Sequence, residues 1–308
     1  MSETAAGDAA NPPQTGPPKV VYVMGSGRSG SSILGVALGN CQGFFYAGEL
    51  DRWLPSGGTP SLGGTERTRF WSAVRERVDV PQDMLDSRAR DQLERAGGLF
   101  RLGGRAGRRA LRRRYRQASG QIVGAVADVA GVAHVIDTSH FPLRARELKA
   151  VEGIEVYLLF MVRDPQRVLA SFTRTVPAND PLTRVKLVLK TNLDLWLTHL
   201  LAILVFLGHR RDRRLFLYYE DLTAQPQTVL RQILDMLGAE ADLPDLANLR
   251  TGLSMGGNPM LRAETVALSG ENRAPSGGSH LTALLQAPLS AAMARLSPAV
   301  QLPGGLSR

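Results

Sequence analysis

Residues 20–38, VVYVMGSGRSGSSILGVAL, constrain the chain more than any other stretch: an unbroken apolar run passes into glycines and resumes as an apolar helical segment. Val20, Val21, Tyr22 and Val23 are β-branched or aromatic, the composition of a strand buried on both faces of a parallel sheet. Gly25, Gly27 and Gly30 give the turn its backbone freedom, and residues 31–39 read as a helix whose start points back at the loop. A strand, a glycine loop and a helix in that order leave backbone N–H groups unpaired beside the positive end of a helix dipole, which suits a phosphate or another oxyanion. The fold class that follows is α/β, with a central parallel sheet.

Two glycine motifs overlap here. Residues 25–32 match the triphosphate-binding loop G-x-x-x-x-G-K-[ST] except that Ser31 stands where the lysine belongs, which argues against triphosphate hydrolysis. Gly25, Gly27 and Gly30 also match G-x-G-x-x-G, with Glu49 and Asp51 about 20 residues on, as a dinucleotide-binding oxidoreductase would have them. Arg28, a fixed cation inside the loop, flanked by hydroxyls at Ser29, Ser31 and Ser32, favours a compact multi-oxygen anion over a dinucleotide pyrophosphate.

The chain of 308 residues, 44% hydrophobic, is long enough for one elaborated domain over 19–308, preceded by a small-residue, proline-rich tail over 1–18 that reads as disordered and lacks the pattern of a signal peptide. Cys41 is the single cysteine, so no intramolecular disulfide forms and a reducing, cytoplasmic compartment is expected. The apolar tract 193–207 contains Asp194, Thr198 and His199 and is too short and polar to span a membrane; it reads as the buried end of a helix over 182–207. Nearly all of the net charge of +9 sits in 101–116, where Arg101, Arg105, Arg108, Arg109, Arg112, Arg113, Arg114 and Arg116 occur without an acid. That segment is either a solvated helix face or a docking strip for an acidic acceptor or anionic lipid. Tyr115 is its one aromatic and no reading motif accompanies it, so nucleic acid is not the expected partner.

Four further stretches complete the outline. Glu49 follows the apolar residues Phe44, Phe45 and Tyr46 closely enough to the loop to be a candidate base. Residues 55–130 alternate glycine pairs with charged helical sequence and read as a helical insertion that covers the site. A strand over 133–136 ends in Asp137, Thr138, Ser139 and His140, at the strand end where open α/β folds place ligands. In VYLLFMVRDPQRVLASF, residues 156–172, Arg163 emerges from a buried strand, Asp164 and Pro165 start a helix, and Arg167 and Ser171 share its face. Two arginine-serine junctions in one sheet suit a ligand with two separated anionic groups. A strand at 215–219, a last amphipathic helix over 223–237 closed by Gly238, and a mobile loop about 254–280 containing GGNPMLR follow.

GSGRSGSS after a strand, LFMVRDPQRVLASF, and LYYEDL before a helix together resemble the sulfotransferases that use 3′-phosphoadenosine 5′-phosphosulfate (PAPS), especially the bacterial ones, over about 19–54 and 133–262. The resemblance implies a P-loop-like three-layer αβα fold, PAPS as sulfuryl donor, no metal, and a hydroxyl-bearing acceptor. It also implies that Gly27, Arg28, Ser29, Gly30, Ser31 and Ser32 hold the 5′-phosphosulfate, Arg163 and Ser171 the 3′-phosphate, and Arg262 the nucleotide side of a closing loop. Glu49 lies where the similar protein-tyrosine sulfotransferases have their base, whereas cytosolic members use a histidine, so Glu49 and His140 both stand as candidate bases beside Arg28. Many bacterial relatives carry a lysine in the segment here written DTSH.

Overall fold

The computed structural model describes residues 16–100, 105–173, 181–268 and 280–296. Of the tail expected over 1–18 and the mobile loop expected over 254–280, residues 1–15 and 269–279 lie outside these, as does Arg101 of the arginine segment. Five strands, β1 (Lys19–Gly25), β2 (Phe44–Gly48), β3 (His134–His140), β4 (Glu155–Val162) and β5 (Arg214–Tyr218), form one sheet in the order β2-β3-β1-β4-β5. Every pairing is parallel, and β1 is central, with Val20 opposite Val135 on one side and Val156 on the other. Val20, Val21, Tyr22 and Val23 have no exposed surface, as their composition predicts.

Helices follow the strands: α1 (Ser31–Gly39), then α2 (Trp53–Ser56), α3 (Thr65–Glu76), α4 (Arg88–Leu93) and α5 (Arg105–Ala130) between β2 and β3. After β3 come α6 (Pro142–Leu148), α7 (Pro165–Thr173), α8 (Pro181–Leu207), α9 (Tyr219–Ala224), α10 (Pro226–Leu237) and α11 (His280–Ala294). Successive side chains of a strand point to opposite faces, and β1 uses this to hold two helical layers. Val20, Tyr22 and Met24 share a core with Val126 of α5 and Phe206 of α8. Val21 and Val23 share the other with Leu34 of α1 and Ile233 of α10. This is the expected αβα sandwich.

Four elements depart from the sequence reading. Phe44, Phe45 and Tyr46 form an edge strand, β2, paired only to β3; a run this short between glycines carries too little periodicity to declare itself. The helix expected over 223–237 is two helices, because Pro226 supplies no N–H and disfavours helical geometry at Gln225, which sits at φ −137° and ψ 61°. Gly238 closes the second with φ 61°, as read. That helix is not the last, since α11 follows. The end of α8 is not uniformly buried either: Leu195, Ala202, Val205 and Phe206 are, while Leu193 and Leu204 are 68% and 60% exposed. A single helix covers only the stripe that faces its neighbours. By length and composition, 182–207 is apolar enough to cross a membrane, but here it packs along β1 and β4.

Candidate active site

Because the sheet is parallel throughout, the carboxyl ends of its strands share one edge, and the predicted residues emerge there strand by strand. Arg28 lies in the loop after β1, Glu49 follows β2, His140 closes β3 and Arg163 follows β4. Tyr219, which the sequence reading did not single out, follows β5. Among the described residues, Arg28 (φ 67°) and His140 (φ 59°) are the two non-glycine residues with positive φ. Left-handed backbone costs roughly 1–3 kcal/mol at such residues and concentrates at functional sites.

The loop turns on a hydrogen bond from the Ser29 N–H to the Ser26 carbonyl, 3.3 Å. Ser29 is thereby buried and its amide is engaged, while the amides at the start of α1 are orphaned by helix geometry. The Ser26 hydroxyl is buried without a partner. Gly30 caps α1 at φ 96°, and a Cβ there would overlap the Tyr219 ring. Gly30→Ala should therefore destabilise the fold by roughly 1–3 kcal/mol and displace Tyr219; a melting temperature equal to wild type would refute this close contact.

Arg163 ties two junctions together. Its Nη1 donates to the Arg28 carbonyl at 3.2 Å, its guanidinium lies 4.3 Å above the Tyr219 ring, and its Nε–H is buried with no partner. Asp164 caps α7 by accepting from the Gln166 N–H at 2.8 Å and is fixed by Glu220, which accepts from its backbone N–H at 3.2 Å. Ser171 lies half-buried on α7 with Arg167, whose guanidinium pairs with Asp164 at 3.7 Å. The Arg28 guanidinium is 5.9 Å from the Phe172 ring centre.

A cavity of about 790 Å³ adjoins the loop, with Ser26, Gly27, His140, Phe141 and Phe172 in its wall and α8 as its far side. His140 is held below the usual histidine range, first by burial, with the Glu49 carboxylate and a hydrogen bond to the Thr138 backbone opposing the shift. Glu49 itself accepts a hydrogen bond from Arg52 Nε at 2.5 Å, and its backbone N–H donates to the Gly256 carbonyl at 3.2 Å. The 254–262 segment is thus held against the end of β2. Arg262 is exposed at the close of the turn Pro259–Arg262.

The polar end of β3 does less ligand-facing work than its composition suggests. Asp137, Thr138 and Ser139 are buried, and their polar groups are turned into the protein. Asp137 accepts from Arg144 Nε and Nη2 at 3.0 and 2.9 Å, Thr138 pairs with the Tyr46 hydroxyl at 3.3 Å, and Ser139 Oγ accepts from the Asp51 N–H at 3.0 Å. Arg144 Nη1 also reaches Glu94 at 3.1 Å, and Tyr115 hydrogen-bonds both. Of this segment His140 alone lines the cavity. Asp51, counted above toward a dinucleotide motif, is buried against Arg90 and its carboxyl is pushed up to about 8, chiefly by burial and then by Glu94. A carboxyl so placed cannot bind a ribose, so the dinucleotide reading loses one of its two acidic residues and is left with Glu49, which is paired to Arg52.

The arginine segment also divides. Arg112 and Arg116 both pair with the buried Glu147 at 2.9 Å, and Arg114 pairs with Asp83. Arg109 and Arg113 are exposed. Three of the eight arginines therefore fasten α5 to α6 and to the segment before α4.

Comparison with known proteins agrees with this architecture. A family model described as the sulfotransferase family matches residues 18–243. No curated protein matches the chain. Among solved structures, the sulfotransferase domain of the olefin synthase of Synechococcus PCC 7002 is similar at 21% identity, over 91% of this chain and 97% of that one, with a TM-score of 0.52. The sulfotransferase domain from the curacin biosynthetic pathway is similar at 17% identity, over 90% and 99%, with a TM-score of 0.49. A sulfotransferase of Mycobacterium avium is similar at 12% identity, over 91% and 77%, also at 0.49. The first of these likenesses supports the fold, and the family match runs from β1 through α10. The chain belongs to the sulfotransferase family.

Proposed function

We propose that the chain transfers the sulfuryl group of PAPS to a hydroxyl group of an acceptor held in the cavity, releasing adenosine 3′,5′-bisphosphate. The observation that carries this reading is Arg163. It bridges the two strand-to-helix junctions and keeps a buried Nε–H unpartnered, and a buried donor without an acceptor is expensive unless a ligand supplies one. Arg163 with Ser171 would take the 3′-phosphate, and Arg28 with the amides of Gly27, Gly30, Ser31 and Ser32 would take the phosphosulfate. Ser26, whose buried hydroxyl has no partner, lines the same cavity as His140 and would suit a sulfuryl oxygen.

In the reaction the acceptor oxygen forms a bond to sulfur while the bond from sulfur to the 5′-phosphate oxygen breaks. The acceptor proton goes to the ring nitrogen of His140 that does not bond Thr138, and burial keeps that imidazole neutral and able to receive it. Glu49 then stabilises the imidazolium. Charge develops on the 5′-phosphate oxygens, where Arg28 and the loop amides stabilise the transition state more than the ground state. The buried Cys41 thiol, pushed up to about 11 by burial, is inert, in keeping with a cytoplasmic enzyme.

A thermal-shift titration tests the donor site. Adenosine 3′,5′-bisphosphate should stabilise the protein more than adenosine 5′-phosphate does. Arg163→Ala should weaken the bisphosphate about 10- to 100-fold, the equivalent of ~1.5–3 kcal/mol for hydrogen bonds to a charged group. Equal affinity of the wild type for the two nucleotides would remove the 3′-phosphate from Arg163.

A further inference from the structure

Among the described residues, most of the exposed large apolar side chains belong to two adjoining helices, α8 and α11. Seven are on α8, three (Leu281, Leu284 and Leu285) on the adjoining α11, and the remaining two, Leu99 and Phe172, are in segments that border the cavity. On α8, Val185, Leu189, Leu193, Leu200, Leu204 and Leu207 recur at helical spacings of three, four and seven and are between 46% and 68% exposed. The helix thus has two working faces: Leu187, Leu195 and Leu201 line the cavity, and the leucine stripe runs beside them toward solvent. An apolar strip spanning a 27-residue helix exceeds what a free surface ordinarily carries.

Charge selects the occupant. Arg184 and Lys186 are exposed at the start of α8, while the one acid on the helix, Asp194, is paired at 3.6 Å to Lys190, and that pair lines the cavity. Residues 195–207 and the whole of α11 contain no acid. A second copy of the chain packed on this strip would set cations on cations if the helices ran parallel, or cations on an uncharged half-helix if antiparallel. Anionic headgroups complement the cations and the acyl region accepts the leucines, the two signals that together give stable peripheral attachment. We infer that the outer face of α8 and α11 rests in the surface of an anionic lipid bilayer, with the cavity held beside it.

Vesicle flotation tests this with the full chain. Wild type should float with vesicles of phosphatidylglycerol and phosphatidylcholine, and salt should weaken the binding. It should not float with pure phosphatidylcholine. Leu189→Ser/Leu193→Ser/Leu200→Ser/Leu204→Ser should lower the binding at least 10-fold, and Arg184→Gln/Lys186→Gln should lower it several-fold and reduce its salt dependence; the second variant decides the matter should the first not fold. A retained thermal shift with adenosine 3′,5′-bisphosphate shows that the fold is intact, and a missing shift in wild type would count against the donor assignment without touching the lipid result. The inference is overturned by a wild type that does not float, or by flotation that survives the leucine variant but is lost in Arg108→Gln/Arg109→Gln/Arg113→Gln. A wild-type dimer that the leucine variant converts to monomer would overturn it as well, by assigning the face to a second copy.

Discussion

His140→Gln is expected to lower sulfuryl-transfer turnover by ~10²- to 10⁴-fold, the usual contribution of a positioned general base, while the thermal shift with adenosine 3′,5′-bisphosphate persists. The imidazole lines the cavity beside Ser26 and Gly27, is kept neutral by burial, and sits on a left-handed backbone, a conformation that concentrates at functional sites. Glu49→Gln separates the two candidate bases. The Glu49 charge raises the affinity of His140 for a proton, so removing it lowers the pKa further, and the acid limb of the pH–rate profile should move to lower pH with a smaller loss of turnover. The opposite pattern, a full loss in Glu49→Gln with turnover retained in His140→Gln, would assign the proton to Glu49.

Arg144→Met should destabilise the protein by about 3–5 kcal/mol, the range for removing one partner of a buried ion pair. Arg144 is 3% exposed and is the cation that Asp137 and Glu94 share, with Asp51 close enough to feel all three. Without it those carboxyls are left buried without a countercharge, and Glu94 and Asp51, both already raised by burial, shift further upward. A carboxyl raised in the folded state contributes stability below its unfolded pKa that is lost as pH rises through the folded value. For Asp51 that window runs up to about 8 in wild type and higher in the variant. The gap between wild type and Arg144→Met, read from urea midpoints, should therefore widen as pH rises past about 8, where Asp51 ionises in wild type but not in the variant. A gap under about 1 kcal/mol, the level of an exposed pair, would mean that the network is not held by this charge.

What could be read from the chain were the features written in neighbouring residues. β1, its glycine loop, β4 and the arginines at their ends each combine a buried run with a punctuating turn, and the αβα layering follows from the buried run. β2 escaped because five residues between glycines do not establish a period, and α11 because the preceding glycine-rich composition drew attention to a loop. The placement of the candidate residues at successive strand ends was legible, but which of their side chains face the cavity was not. Nothing in the string DTSH says that three of its four side chains face inward, since that depends on Arg144, Glu94 and Tyr115 arriving from three separate helical segments. Tyr219 illustrates the same limit: its ring meets Gly30 and Arg163 because β5 lies beside β4, a fact of sheet order rather than of local pattern.

The placement of the cavity between the glycine loop and α8 bears on how such a protein can diversify. The loop and Arg163 are anchored in β1, β4 and β5, whereas Leu187, Leu195 and Leu201 belong to a helix outside the sheet. Substitutions on the cavity-facing side of α8 can reshape one wall without altering the anchors of the other, so under the proposed function acceptor choice could change while donor affinity is kept.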